Sequence, residues 1–296
     1  MAPLIKTLPA SWYCSKALYE LEQRASWYLL GPITKFADGR PVEYEFAGVG
    51  LVVETEEQSF RVTRLADKQP LPHKLTSSGL LFAALSAEAP DFESFFPGLE
   101  ELLSQVDFTK LPYRRTISYE GKFNWKTMVD GYQECLHCQY THPSFSVLYP
   151  PTFYAVQNYG NYSRHIADPE KPDDGLFLYF FPVCTLNAYG GGVSVFRVCP
   201  TADPGVTRME FDYYNLKDGE PFEDYFRFVR KVALEDYELC EKAQANLERG
   251  VYCQGILNPV KESGVSHYQQ QVRKMVVERY KEETGRREEM TTVAVN

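Results

Sequence analysis

Apolar side chains recur at helical spacing across residues 11 to 30 (SWYCSKALYELEQRASWYLL), with Ser15 placed as an N-cap, which predicts a helix. From Val42 to Arg64 the pattern changes to alternation, which predicts two or three strands joined by tight turns. Lys68 to Ser78 is polar and carries two prolines, so a loop is expected there, followed by a strand at GLLFAALS. A short helical pattern covers Phe92 to Val106 and a longer one Asn124 to Thr141. Strand-like stretches then fall at 152 to 166, 176 to 188, 192 to 199 and 207 to 215, split by turn clusters such as ADPEKPDDG and the glycines 190 to 192. Neighbouring strands with short connections imply an antiparallel sheet. The last strong element is a long amphipathic helix whose apolar positions 225, 229, 232, 239, 243 and 247 end at Gly250, a C′ residue. The tail from Lys281 is charged and polar and is expected to be unstructured. No repeat or low-complexity segment interrupts the chain.

Composition narrows the function classes. The 296 residues, 44% hydrophobic and 24% charged, suffice for one large core. A net charge of −9 leaves no broad basic surface, so nucleic acid is not an expected partner. No apolar run approaches the roughly 20 residues that span a bilayer, and the start lacks an apolar leader core, so neither membrane nor export is expected and the cytoplasm is the expected location. Seven scattered cysteines do not look like a disulfide framework, and reduced thiols are expected.

Candidate chemistry concentrates in NWKTMVDGYQECLHCQYTHPSF, residues 124 to 145. His137 and His142 are five apart, about 140° around a regular helix, so sharing a ligand requires the helix to end between them. Pro143 supplies the reason, because the residue before a proline is pushed out of the helical region. Glu134 lies on the same helical face as His137. On the long helix, Asp236 falls where the apolar stripe calls for Leu or Val, and a carboxylate placed there needs a strong partner such as a divalent metal. Two histidines and one carboxylate form the facial ligand set of non-haem Fe(II) oxygenases. Taken singly, the histidines also read as ordinary core or surface residues, and Asp236 as the partner of a buried arginine. Cys135-x-x-Cys138 has zinc-knuckle spacing without a second pair, and no P-loop, nucleophile elbow or HExxH is present.

Asn-Trp-Lys, an acidic residue, then Glu-Cys-x-His-Cys-x-x-x-His-Pro-Ser-Phe resembles the mononuclear-iron signature of Rieske-type oxygenase large subunits, in the branch that includes choline and carnitine monooxygenases. Glu235-Asp236-Tyr-Glu-Leu-Cys-Glu-x-x-Gln244 resembles the segment that donates the carboxylate ligand there. The resemblance implies an α+β helix-grip (START/Bet v 1-like) fold, an antiparallel sheet gripping a long C-terminal helix. It implies one Fe(2+) on His137, His142 and Asp236, catalytic roles for Glu134 and Asp130, dioxygen and a small organic molecule as substrates, and a homotrimer. Gly131 departs from the family pattern, which has Asn at that position.

A second departure is larger. Family members hold a [2Fe–2S] cluster on two cysteines and two histidines of an N-terminal domain. Before residue 110 this sequence has only Cys14 and His73. The expected organisation is therefore a truncated, cluster-less Rieske-domain remnant over residues 1–110, an iron catalytic domain over 111–280 and a polar tail over 281–296. Without a cluster, an oxygenase would draw electrons from its substrate or from an external redox protein docking near Glu134. The metal could instead act as a Lewis acid in a hydrolase, lyase or isomerase, and an inert subunit is the remaining alternative. An aromatic or polyketide-like ring, or a quaternary amine, would suit aromatic positions 153, 154, 159, 162 and 179 to 181.

Overall fold

The structure, a computed structural model, describes residues 4–22, 26–57, 59–168, 170 and 175–295. In chain order come α1 (Ser11–Cys14), α2 (Lys16–Glu22), β1 (Trp27–Pro32), β2 (Val42–Phe46), β3 (Val49–Glu56), β4 (Ser59–Arg64), β5 (His73–Leu75), β6 (Leu80–Ala84), α3 (Phe92–Phe95) and α4 (Leu99–Leu103). After these follow β7 (Tyr113–Gly121), α5 (Trp125–Tyr132), α6 (Cys138–Thr141), α7 (Pro143–Leu148), β8 (Ala155–Tyr159), β9 (Tyr162–Ile166), β10 (Leu176–Phe180), β11 (Cys184–Tyr189), β12 (Gly192–Pro200), β13 (Thr207–Asn215), α8 (Glu220–Glu248) and α9 (Ser263–Val295). Among the described residues, no helix is long and apolar enough to cross a membrane.

Two three-stranded sheets, β1-β6-β5 and β2-β3-β4, form the N-terminal half. The other half is a seven-stranded sheet in the order β7-β13-β12-β11-β10-β9-β8, with every neighbouring pair antiparallel. Alternate side chains of a strand face opposite ways, and β12 is buried almost throughout because both its faces are covered. Ser194 and Phe196 face a cavity on the α8 side, whereas Arg197 reaches the other way to the Leu30 carbonyl oxygen. α8 packs across the sheet through aromatic pairs, Phe226 on Tyr213 with ring centroids 4.9 Å apart and Tyr237 on Tyr119 at 5.7 Å. On the opposite face, Asp212 is fully buried between Lys35 Nζ at 2.7 Å and Arg197 Nη2 at 2.5 Å. Burial opposes the charge of Asp212, but the two cations outweigh it and hold its pKa below the usual range. That cluster clamps the N-terminal half to the large sheet.

Several expectations are corrected. Residues 27–32 are a strand, because Trp27 to Pro32 pair antiparallel with Leu80 to Ala84 and bury every side chain, which overrides the helical spacing. His73 to Leu75, placed in a loop, add a third strand to that sheet. The helix expected over 92 to 106 is two short ones, parted at Pro97 and Gly98. The charged stretch from Lys281 continues α9 to Val295. Glu, Lys and Arg are good helix formers, and pairs such as Arg279 and Glu283 at 2.8 Å join successive turns.

Candidate metal centre

Asn124 caps α5, its side-chain oxygen accepting from the Lys126 amide at 3.1 Å. Lys126 anchors the helix from below: its ammonium meets Glu22 at 2.7 Å with both side chains almost wholly enclosed, and the Trp125 indole donates to the same carboxylate at 2.9 Å. Where one helix from 124 to 141 is expected, α5 stops at Tyr132. Glu134 folds back to accept from the Leu136 amide, a local bond that competes with helix continuation. α6 and α7 meet at His142, whose φ of −118° and ψ of 66° leave the helical region, and Pro143 opens α7.

The break turns the two imidazoles toward each other, with Nε2 atoms 3.2 Å apart. From α8, Asp236 Oδ1 comes within 2.8 Å of His142 Nε2 and 3.4 Å of His137 Nε2. Three donors bound at about 2.1 Å and at right angles would lie roughly 3 Å apart, so these spacings fit a facial set around one ion. It is the sole group of three or more metal-capable side chains converging among the described residues. Each histidine presents Nε2 because Nδ1 is engaged: His137 with Glu134, and His142 with Glu235 Oε2 at 2.9 Å. This carboxylate–histidine arrangement fixes tautomer and ring orientation. Burial disfavours a charged His137, but Asp236 and Glu134 outweigh it and raise its pKa to about 10. His142 is raised in the same way and Asp236 is lowered. A divalent cation would displace those protons.

The three donors open onto a cavity of about 130 Å³ between α8 and the sheet. Its wall is largely apolar and aromatic, including Phe145, Tyr154, Phe177, Tyr189, Phe196 and Phe211. Among the proposed aromatic contacts only Tyr154 lines it; Phe153 is half exposed and Tyr179 is buried elsewhere, donating to the Pro182 carbonyl oxygen at 2.7 Å. Glu134 is in the wall and Asp130 is not. Asp130 lies on the far side of α5, accepting from Tyr13 at 2.6 Å, Gln269 at 2.6 Å and Tyr268. Burial raises its pKa to about 6 against those bonds. Its placement ties α5 to α1 and α9.

Glu235 was not singled out in the sequence; the available signal was a second carboxylate beside a candidate ligand. Tyr132 and Asn187, bonded at 2.7 Å in the cavity wall, carried no local signal, being 55 residues apart. The stripe on α8 also differs: Phe222, Tyr225, Val229, Cys240, Gln244 and Leu247 are buried, so Asp236 stands in register four residues before Cys240. Nor are all thiols reduced, for Cys135 and Cys138 are joined, with Cα atoms 5.0 Å apart, a separation that permits the bond.

The family model of the ring hydroxylating alpha subunit (catalytic domain) matches residues 108–169 and 156–278. The chain belongs to this family. It is 27% identical over 213 residues to the carnitine monooxygenase oxygenase subunit of Acinetobacter baumannii, across 64% of this chain and 57% of that one. The chain thus spans 57% of that relative's length. A solved quaternary ammonium Rieske monooxygenase superposes with a TM-score of 0.81 at 20% identity, covering 92% of this chain and 96% of that one. Naphthalene 1,2-dioxygenase from Rhodococcus sp. superposes with a TM-score of 0.69 at 13% identity, covering 92% and 95%. Both superpositions establish a mixed α and β fold with antiparallel sheets.

Proposed function

We propose that this protein is a mononuclear non-haem iron oxygenase acting on a small organic molecule, with Fe(2+) held by His137, His142 and Asp236. The observation that carries the reading is the convergence of three donor atoms on one cavity wall, each imidazole backed by a carboxylate. Ferrous iron there would supply oxygen activation, a three-residue ligand set leaving coordination positions open. The protein's own side chains do the rest. Glu134 and Glu235 hold the Nδ1 protons and so aim both Nε2 atoms. The aromatic wall excludes water and holds the substrate against the donors.

An apolar cavity of roughly 150 Å³ accommodates benzene, so about 130 Å³ suits one small substrate. A small quaternary or tertiary amine fits the size and gains cation–π attraction from the wall, in keeping with the name of the carnitine relative. The helix-grip description fits α8 lying across the seven-stranded sheet, and the two small sheets fit a Rieske-domain remnant over residues 1–110. Only Cys14 and His73 precede residue 110, so these residues are proposed to hold no [2Fe–2S] cluster and electrons reach the metal by another route.

Iron-loaded protein incubated with small amines and a chemical reductant under ¹⁸O₂ tests the reading, and label should appear in the product. Turnover that continues without oxygen would overturn it in favour of Lewis-acid chemistry.

A further inference from the structure

We propose that Cys135 and Cys138 are a redox-active pair that delivers two electrons and two protons to the metal site and is recharged by a small monothiol. The proposal rests on the iron reading above and adds the reductant to it. The two cysteines bracket the ligand His137, both are 4% exposed, and both line the cavity. Cys138 Sγ lies 4.0 Å from His137 Nε2, the atom turned toward the other donors. The pair forms a disulfide, while Cys14, Cys184, Cys199, Cys240 and Cys253 are free. Paired sulfurs three residues apart are the arrangement that cycles between dithiol and disulfide by thiol exchange. At the surface such a pair would serve a protein partner. Here the sulfurs face the substrate's cavity, so the reductant proposed is a small thiol.

The stoichiometry closes. Hydroxylation of a C–H bond consumes one dioxygen, two electrons and two protons beyond the substrate. Two thiols, R–H and O₂ give one disulfide, R–OH and H₂O: the S–S bond forms, the O–O bond breaks, and both thiol hydrogens leave in the water. Two molecules of external thiol then reduce the disulfide and emerge as their own disulfide. Without substrate, the same two electrons reduce O₂ to H₂O₂.

The test uses the full chain, reduced with a phosphine, loaded anaerobically with one equivalent of Fe(II), desalted, assayed for metal and then mixed with air-saturated buffer without substrate. Alkylation and mass spectrometry follow Cys135 and Cys138, and peroxide is measured in parallel. The expected result is closure of this pair at least tenfold faster than in metal-free protein, with one peroxide per disulfide and Cys14 and Cys253 still alkylated. Asp236→Ala protein given the same iron should behave as metal-free, and Cys138→Ser should keep its iron yet yield under a tenth of the peroxide. Closure at equal rates with and without iron, or thiols that stay open in the loaded protein, overturns the proposal while leaving the ligand set standing. Failure to retain iron before oxygen is admitted defeats the ligand reading itself and this proposal with it.

Discussion

Glu235 offers the sharpest test of how the metal centre is built, because it reaches the three metal donors through His142 alone, its other pairing being with the exposed Lys231 Nζ at 3.9 Å. Its Oε2 accepts from His142 Nδ1 at 2.9 Å, with the imidazole 2% and the carboxylate 23% exposed. A hydrogen bond to a charged group at such a site contributes about 1.5–3 kcal/mol. At about 1.4 kcal/mol per tenfold, losing it should weaken iron binding roughly 10- to 100-fold, the range seen when partners of metal-bound histidines are removed. Glu235→Ala should therefore lose affinity by that factor, whereas Glu235→Gln keeps an oxygen acceptor and should stay within about threefold of wild type. Glu134→Ala should lose at least as much, since Glu134 also holds the Leu136 amide that shapes the turn before His137. Anaerobic competition against a chromophoric chelator measures the affinities, with circular dichroism to establish that each variant is folded. A folded Glu235→Ala protein binding iron within twofold of wild type would refute the reasoning.

Three further outcomes are expected. Asp130 has its folded pKa raised to about 6 by burial, above an unfolded value near 3.9. Its contribution to stability is thus complete below about pH 4 and is lost as pH rises through about 6; in melting curves Asp130→Asn should flatten the pH dependence across that window, and an unchanged slope would contradict the burial argument. Lys126→Met leaves Glu22 enclosed without its cation and should cost about 3–5 kcal/mol in denaturant unfolding; a loss under about 1 kcal/mol would mean the pair is hydrated. Ala233→Phe fills part of the cavity and should weaken substrate binding by roughly tenfold, about 1.4 kcal/mol, with iron content unchanged; loss of iron instead would place Ala233 closer to the ligands than the cavity wall.

The sequence by itself determined the features whose causes lie within a few residues. Pro143 ends the helix at His142, and the alternation from Val42 to Arg64 reads directly as β2, β3 and β4. The candidate ligands were legible for the same reason, since two histidines near a proline and a carboxylate in an apolar stripe are local irregularities. Other features depended on partners far along the chain. β1 is a strand because β6 pairs with it, not because its own spacing requires one. Asp130 turns to Tyr13, Tyr268 and Gln269, on elements more than 100 residues away, so its place in the signature said nothing of which side of α5 it would face. Glu235 became visible only once α8 lay beside α6 and α7, and the cavity's size only once α8 had settled over the sheet. Backbone conformation at a proline or a turn is a short-range steric matter, whereas the facing of a side chain and the volume left between layers are set by packing, which no window of sequence contains.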